Sequence, residues 1–389
     1  MNERTLIQPD IEFINYIKKN GGDTVKECYQ CATCSVVCSL SPEHEAFPRK
    51  EMIAASWGQK KNLLSDPDVW LCHGCTDCST HCPRGAKPAD VLGAIRSYVI
   101  ESFAVPKFLG SAIKKPKYLM PLLIVPFVII FLLLYNNLDG NFSQLNEGTV
   151  RFSKFLPHIV VEALFIGGNI LVFAFAVLGL SRFWKNLNRI TPASNKRSFF
   201  GVLFATISEI LTHKNFNTCS ENPSRFWGHL LIFYGFFGAM LTAGLAVGAL
   251  ILYDMNPIPI FHPIKILGNL SGIALVVGCV VVAVHRFKIK TEKGSNTYND
   301  WILILFVFLV AVTGLLTETL RLLDTPFLAY NSYFVHMVFI FFLLWYAPYS
   351  KLAHMFYRTL AMVYLKMNGR DKKAAVFMNL LFFSMFLIH

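Results

Sequence analysis

The sequence predicts an all-α protein in two parts, a small water-soluble helical domain over residues 1–117 and a transmembrane bundle of about six helices over residues 118–389. Three observations carry this. Of the 389 residues, 54% are hydrophobic and only 15% are charged, where ordinary soluble domains run near about 25% charged. The mean hydropathy is +0.46. Eight of the ten cysteines fall between Cys28 and Cys82. Charge divides in the same place: residues 1–117 hold 15 Lys+Arg against 13 Asp+Glu, and from residue 118 onward 21 basic residues face 11 acidic ones, almost all in short segments between apolar runs.

Within the first part, Arg49 to Gln59 reads as a helix between two cysteine groups, and Pro88 to Phe103 as an amphipathic helix leading toward the membrane. The opening twenty residues contain Asp10 and Glu12 and no apolar core, so no cleavable signal peptide is expected. Crossing a bilayer takes about 20 apolar residues. Six runs meet that need: 118–135, 158–180, 226–253, 264–285, 301–320 and 333–349. A seventh, 374–388, is too short and suits the interface equally well.

Orientation follows from the basic residues in the connections, which are retained on the cytoplasmic side. Segments 181–225, 286–300 and 350–389 hold 7, 4 and 6 of them, and segments 136–157, 254–265 and 321–332 hold 2, 1 and 1. A multi-pass protein of the cytoplasmic membrane is therefore expected, with both termini and the cysteine domain in the cytoplasm. The net charge of +12 is then loop bias and contact with anionic lipid, not a nucleic-acid surface. In the cytoplasm thiols stay reduced, which argues for metal rather than disulfides.

Cys28, Cys31, Cys34 and Cys38 form C-x2-C-x2-C-x3-C, and Cys72, Cys75, Cys78 and Cys82 repeat it, the second followed by Pro83. This is the spacing of bacterial two-cluster ferredoxins. A cubane needs four thiolates converging on one small object, and in that motif the fourth cysteine ligates the other cluster. The motif thus implies one [4Fe-4S] cluster on Cys28, Cys31, Cys34 and Cys82, and a second on Cys72, Cys75, Cys78 and Cys38. Zinc is the alternative, but zinc sites pair two C-x2-C knuckles across a longer gap. Ser39 stands where the first motif would carry proline; Cys219 and Cys279 read as small apolar residues. A two-cluster, ferredoxin-like unit of this kind carries single electrons.

Seven of the eleven histidines lie in or at the ends of spans, where ionisable groups are costly and neutral imidazole can ligate haem. His336 and His354 are 18 residues apart on the last span, roughly 27 Å and five turns along one helix, which puts them on one face with one near the outer surface and the other near the inner. His229, near the cytoplasmic end of its span, is the expected partner of His354 for a haem b, with His285 as its rival. For His336 the partner is His262 or His158. The small residues Gly228, Gly235, Gly238 and Gly244 would admit a flat macrocycle. Glu162 and Glu318 are carboxylates near outer span ends that could move protons.

The run Cys28-Tyr-Gln-Cys31-Ala-Thr-Cys34 ahead of a membrane helix resembles the iron–sulfur C subunit of heterodisulfide reductase. The spans from His158 to His354, with Trp227-Gly228-His229, resemble the haem b (gamma) subunit of respiratory nitrate reductase and the membrane subunit of heterodisulfide reductase. The fusion of the two is similar to the C subunit of the quinone-interacting membrane-bound oxidoreductase (Qmo) complex of sulfate reducers. The resemblance implies a respiratory subunit relaying electrons between menaquinone or menaquinol and cytoplasmic flavin and iron–sulfur subunits, which in that family serve adenylylsulfate reductase. One departure is Ala239, at the second ligand position of the nitrate reductase span. The rival expectations are a haem-free membrane anchor for the cluster domain and, less suited to spans with few polar residues, a redox-driven pump. No G-x-G-x-x-G after a strand and no P-loop is present.

Overall fold

The computed structural model describes residues 8–41, 45–146, 148–190, 197–213, 223–253, 255, 257–288 and 297–370; Cys219 and the run 374–388 lie outside them. Among the described residues the chain is all helical, with no strand. The N-terminal part contains α1 (Ile11–Ile17), α2 (Thr33–Val36), α3 (Arg49–Ser56), α4 (Lys60–Leu64), α5 (Asp77–Thr80), α6 (Pro88–Phe103) and α7 (Lys107–Ala112). Asp10 caps α1 by accepting from Phe13 N–H at 2.9 Å. Helix α3 stops three residues before the expected Gln59. Gly58 follows its C-cap at φ +65°, the Gln59 N–H bonds Ala54 O at 2.8 Å and the Gly58 N–H bonds Ala55 O at 3.2 Å, which together form a Schellman turn. A Cβ on Gly58 would also meet Asp10 N at 2.8 Å. The expected 88–103 helix is α6, with Pro88 at its first turn, and it buries Val91, Leu92, Ile95 and Val99 on one stripe.

The remaining helices are α8 (Leu119–Asn137), α9 (Phe152–Phe155), α10 (His158–Glu162), α11 (Gly168–Ile190), α12 (Phe199–Leu211), α13 (Pro223–Tyr253), α14 (Pro263–Lys288), α15 (Tyr298–Leu322), α16 (Pro326–Trp345) and α17 (His354–Met367). Six spans are long and apolar enough to cross a membrane: 116–137, 158–189, 226–253, 263–288, 298–322 and 326–345. The second joins α10 to α11 through a π turn at Ala163–Gly167, and α11 ends at Ile190, ten residues beyond the expected end at Leu180. Its extension buries Phe183 and Leu187 in the same core as Phe13, Met52, Trp70 and Ile95, and α17 adds Tyr357, Ala361 and Tyr364. The cysteine-bearing part therefore shares its core with the end of the bundle. Segment 181–225, expected as a plain connection, contains α12, whose 13 residues are too few to cross. It packs on α17 through a Lys366–Glu209 ion pair.

A buried acidic group lies behind α3. Glu51 is fully buried, and Lys50 Nζ stands 3.7 Å from it and 3.6 Å from Asp66, and also contacts Asp68. Arg370 holds Asp68 at 2.9 Å. Burial raises the Glu51 carboxyl well above its usual range, helped by the Asp66 charge, and pushes Asp66 up to about 6. Groups with raised pKa bind more protons folded than unfolded, so they withdraw stability as pH climbs from the ordinary carboxylate value toward the folded one. Glu51→Gln, which cannot ionise, is expected to flatten that loss by on the order of 1–2 kcal/mol. Thermal melts at pH 5 and pH 8 check it; an unchanged difference between the two would contradict the protonated assignment.

Candidate cofactor sites

The two cysteine loops repeat one backbone conformation. Gln30 and Ala32 in the first have φ of +62° and +67°, and Gly74 and Thr76, at equivalent positions in the second, have +66° and +75°. Left-handed residues between the ligands turn backbone N–H groups inward, forming a concave nest for an anionic centre. Gln30 Nε2 donates to Cys28 Sγ at 3.2 Å, and the Gly74 N–H donates to Cys72 Sγ at 3.2 Å. Three non-glycine residues in this conformation are strain that spacing alone does not reveal.

The sulfurs fall into two sets that cross the repeats. Burial, followed by the charges of Cys28, Cys31 and Cys82, pushes the Cys34 thiol up to about 11. Burial likewise pushes Cys38 up to about 11, with the charges of Cys72 and Cys75 acting on it, and raises Cys78, on which the charges of Cys72, Cys75 and Cys38 act, followed by that of Cys34 from the other set. Cys31 is exposed, and its hydrogen bonds to Thr33 lower it. Cys34 and Cys78 pack together with Ala89, where the two sets adjoin. Cys38, Cys72, Cys75 and Cys78 line one cavity, closed by Phe47 and Leu92.

Both sets fit an iron–sulfur cubane. Buried thiols that stay protonated by desolvation need a cationic centre to become thiolates. Zinc would draw sulfurs bound at about 2.3 Å into near contact, yet among the described residues no three cysteine sulfurs lie within 4.8 Å of one another.

His229 lies near enough to His354 for its charge to act there. Burial lowers the proton affinity of His354, and the charges of His229, Lys351 and Arg358 reach its ring. His354 Nδ1 lies 2.6 Å from Lys351 O; a carbonyl only accepts, so Nδ1 carries the proton and Nε2 offers its lone pair. His285 occupies the last turn of α14. His213, which sequence reasoning passed over, also belongs here: it ends α12 at φ +50° with its ring 6.0 Å from that of His229. Its signal was the short apolar run before it.

His336 and His354 are not on one helix. Helix α16 begins at Pro326 and ends at Trp345; Pro348, which has no N–H to continue the ladder, sits in a 3₁₀ turn, and Ser350 Oγ accepts from Leu352 N–H at 3.1 Å before α17 starts. The two histidines therefore do not share the face of one helix, and His336 lies midway along α16 rather than near an outer end. There it meets α15. Thr313 gives its single hydroxyl hydrogen to Leu309 O at 2.6 Å and so accepts from His336 Nδ1 at 2.9 Å, which again leaves Nε2 with the lone pair. A Cβ on Gly314 would meet the His336 ring at 2.9 Å.

His158 opens α10. His262 Nδ1 accepts from Ile264 N–H at 3.3 Å, a cap on α14 that puts the proton of the neutral ring on Nε2. Glu318 is held by Lys265 at 3.1 Å, joining α14 to α15. The glycines of α13 also differ from expectation. A Cβ on Gly228, Gly235 or Gly238 would strike Val282, Leu275 or Ser271 of α14 at 2.8, 2.9 and 2.2 Å, while Gly244 has open space around it. Gly228, Gly235 and Gly238 thus serve close helix packing. Between α8 and α16 lies an apolar cleft of about 840 Å³, lined by Phe127, Phe131, Phe155, Phe327, Tyr330 and Phe334 among others.

Residues 24–86 match a 4Fe-4S dicluster domain. The chain is 34% identical over 116 residues to the C subunit of an H(2):CoB-CoM heterodisulfide,ferredoxin reductase of Methanothermobacter marburgensis, covering 29% of this chain and 63% of that relative. It is 33% identical over 90 residues to a protein of Archaeoglobus profundus that is itself like the C subunit of heterodisulfide reductase, covering 23% and 48%. With the E subunit of a dihydromethanophenazine:CoB--CoM heterodisulfide reductase of Methanosarcina thermophila it shares 23% identity over 201 residues, covering 48% and 74%. The chain thus spans under two thirds of the length of the first two of these relatives. No solved structure matches it.

Features of the C and E subunits of heterodisulfide reductase are joined in one polypeptide, consistent with a Qmo-type C subunit. The 4Fe-4S dicluster match precedes six helices long and apolar enough to cross a membrane. The match to "Citrate utilization protein B" covers residues 112–375, more than half of the sequence, and the chain belongs to that family.

Proposed function

We propose that the chain relays electrons between menaquinol and cytoplasmic flavin and iron–sulfur subunits of a respiratory complex, through haem b and two [4Fe-4S] clusters. Its place in sulfate respiration, toward adenylylsulfate reductase, rests on the Qmo resemblance. Residues 1–117 form the cluster domain and residues 118–389 the haem b domain, with both termini in the cytoplasm, a reading supported by the basic residues concentrated in segments 181–225, 286–300 and 350–389.

Cys28, Cys31, Cys34 and Cys82 hold one cluster, and Cys72, Cys75, Cys78 and Cys38 the other. His229 and His354 ligate the haem nearer the cysteine domain, with His285 as the alternative to His229. His336 serves a second haem with His158 or, if its α14 cap opens, His262.

The observation that carries the haem assignment is the pair of tautomers: His336 and His354 each donate from Nδ1 to a fixed oxygen, which leaves Nε2 deprotonated with its lone pair on offer. When bound, haem supplies a one-electron centre at membrane depth. The protein's own part is to orient the rings, exclude water and keep each Nδ1 proton in place. The α8–α16 cleft suits an isoprenoid quinone, apolar along its length with aromatic rings to stack a head group.

An optical spectrum of the purified protein tests the reading. Haem b bands that reduce on adding a menaquinol analogue are expected. A spectrum without them would leave a haem-free anchor for the cluster domain.

A further inference from the structure

The two cluster sites are not equivalent with respect to the bundle. Arg358 lies on α17 four residues after His354, one turn away on the same face. Its Nη1 is 3.5 Å from Cys72 O and its Nη2 3.5 Å from Leu71 O. Arg96 of α6 approaches the same segment, with Nη1 3.2 Å from Val69 O and 3.5 Å from Cys72 O. Between them Trp70 stacks on Tyr357 of α17 at 5.4 Å and 18° and meets Phe183 of α11 at 6.0 Å. Residues 69–72 are therefore gripped by two guanidinium groups and by rings from two helices of the bundle.

The other loop faces outward. Cys31 is exposed, Tyr29 is 67% and Val36 83% exposed, and the Arg84 guanidinium covers the Tyr29 ring at 4.0 Å.

Building on the cluster assignment above, we infer that the Cys38/Cys72/Cys75/Cys78 site exchanges electrons with the bundle and the Cys28/Cys31/Cys34/Cys82 site with the soluble partner, and that Arg358 is the positioning residue linking the His354 helix to the Cys72 loop. Each step moves one electron: the donor site is oxidised by one, the acceptor reduced by one, and no bond or proton changes. A guanidinium beside a ligand's carbonyl favours the electron-rich state of that site, since hydrogen bonding and charge around the sulfurs set cluster potentials. Cys34 and Cys78, packed together, form the short passage between the two sites.

The test uses the full-length protein in detergent, with iron content and EPR-monitored redox titration of wild type, Arg358→Gln and Arg358→Lys. In Arg358→Gln, with iron content unchanged, one cluster is expected to show about a tenfold fall in its reduced-to-oxidised ratio at fixed potential, ~59 mV for one electron. That cluster should be the one missing in Cys38→Ser, and Arg358→Lys should restore most of the shift. Equal shifts in both clusters, no shift in either, or a shift in the cluster missing in Cys82→Ser would overturn the order of sites. Wild-type protein with fewer than two clusters would overturn the underlying cluster assignment instead.

Discussion

Cys82→Ser is expected to abolish the cluster at Cys28, Cys31 and Cys34 while sparing the one at Cys72, Cys75 and Cys78, although Cys82 belongs to the second motif. The reason is the crossing of the sulfur sets: the charge of Cys82 acts on Cys34, and Cys38 of the first motif sits with Cys72 and Cys75. A cubane lacking one of its four thiolates is expected to be lost, so bound iron should fall by about half. Cys38→Ser should remove the other half, and a Cys38, Cys82 double replacement should remove nearly all. Iron analysis with EPR of the reduced protein reads this directly. If Cys82→Ser instead abolished the cluster at Cys72, Cys75 and Cys78, each motif would hold its own cluster and the crossed assignment would be wrong.

The second large effect is at His354. His354→Ala should eliminate one haem b completely, because the Nδ1 bond to Lys351 O that orients the ring has no substitute on the short helix α17. His229→Ala should eliminate the same haem, and His285→Ala should leave it if His229 is the partner. Haem counted per polypeptide by the pyridine haemochrome spectrum decides this. Full haem content in both His354→Ala and His229→Ala would sink the pairing. His336→Ala should act on the second haem alone, since its ring is fixed separately by Thr313.

Much of the fold was legible in the chain itself. The six apolar runs match the six spans, because about 20 apolar residues in succession leave a chain little choice but a membrane-crossing helix. The limits of those runs were less legible. Leu180 looked like the end of a span, yet the helix continues to Ile190 because Phe183 and Leu187 find a second core on the N-terminal part. The last span was placed seven residues late, at Tyr333, since Pro326 reads locally as a loop residue but here occupies the first turn of α16, where its missing N–H costs nothing. Gly228, Gly235 and Gly238 of α13 looked like room for a macrocycle and proved to be the contact surface for α14, while Gly244 alone of the four has open space around it.

What the sequence by itself determined is the chemistry and the class: cysteine spacing set by the size of a cluster, apolar length set by the thickness of a bilayer, and a basic bias among the loops. All of these are local or compositional. What only the tertiary structure decided is which imidazoles carry which proton, that His213 joins His229, and that the Cys72 loop rather than the Cys31 loop rests on the bundle. Each depends on groups far apart in the chain, such as Arg358 and Cys72. Such contacts are fixed by the packing of helices against one another, and the periodicity of a single segment does not record them.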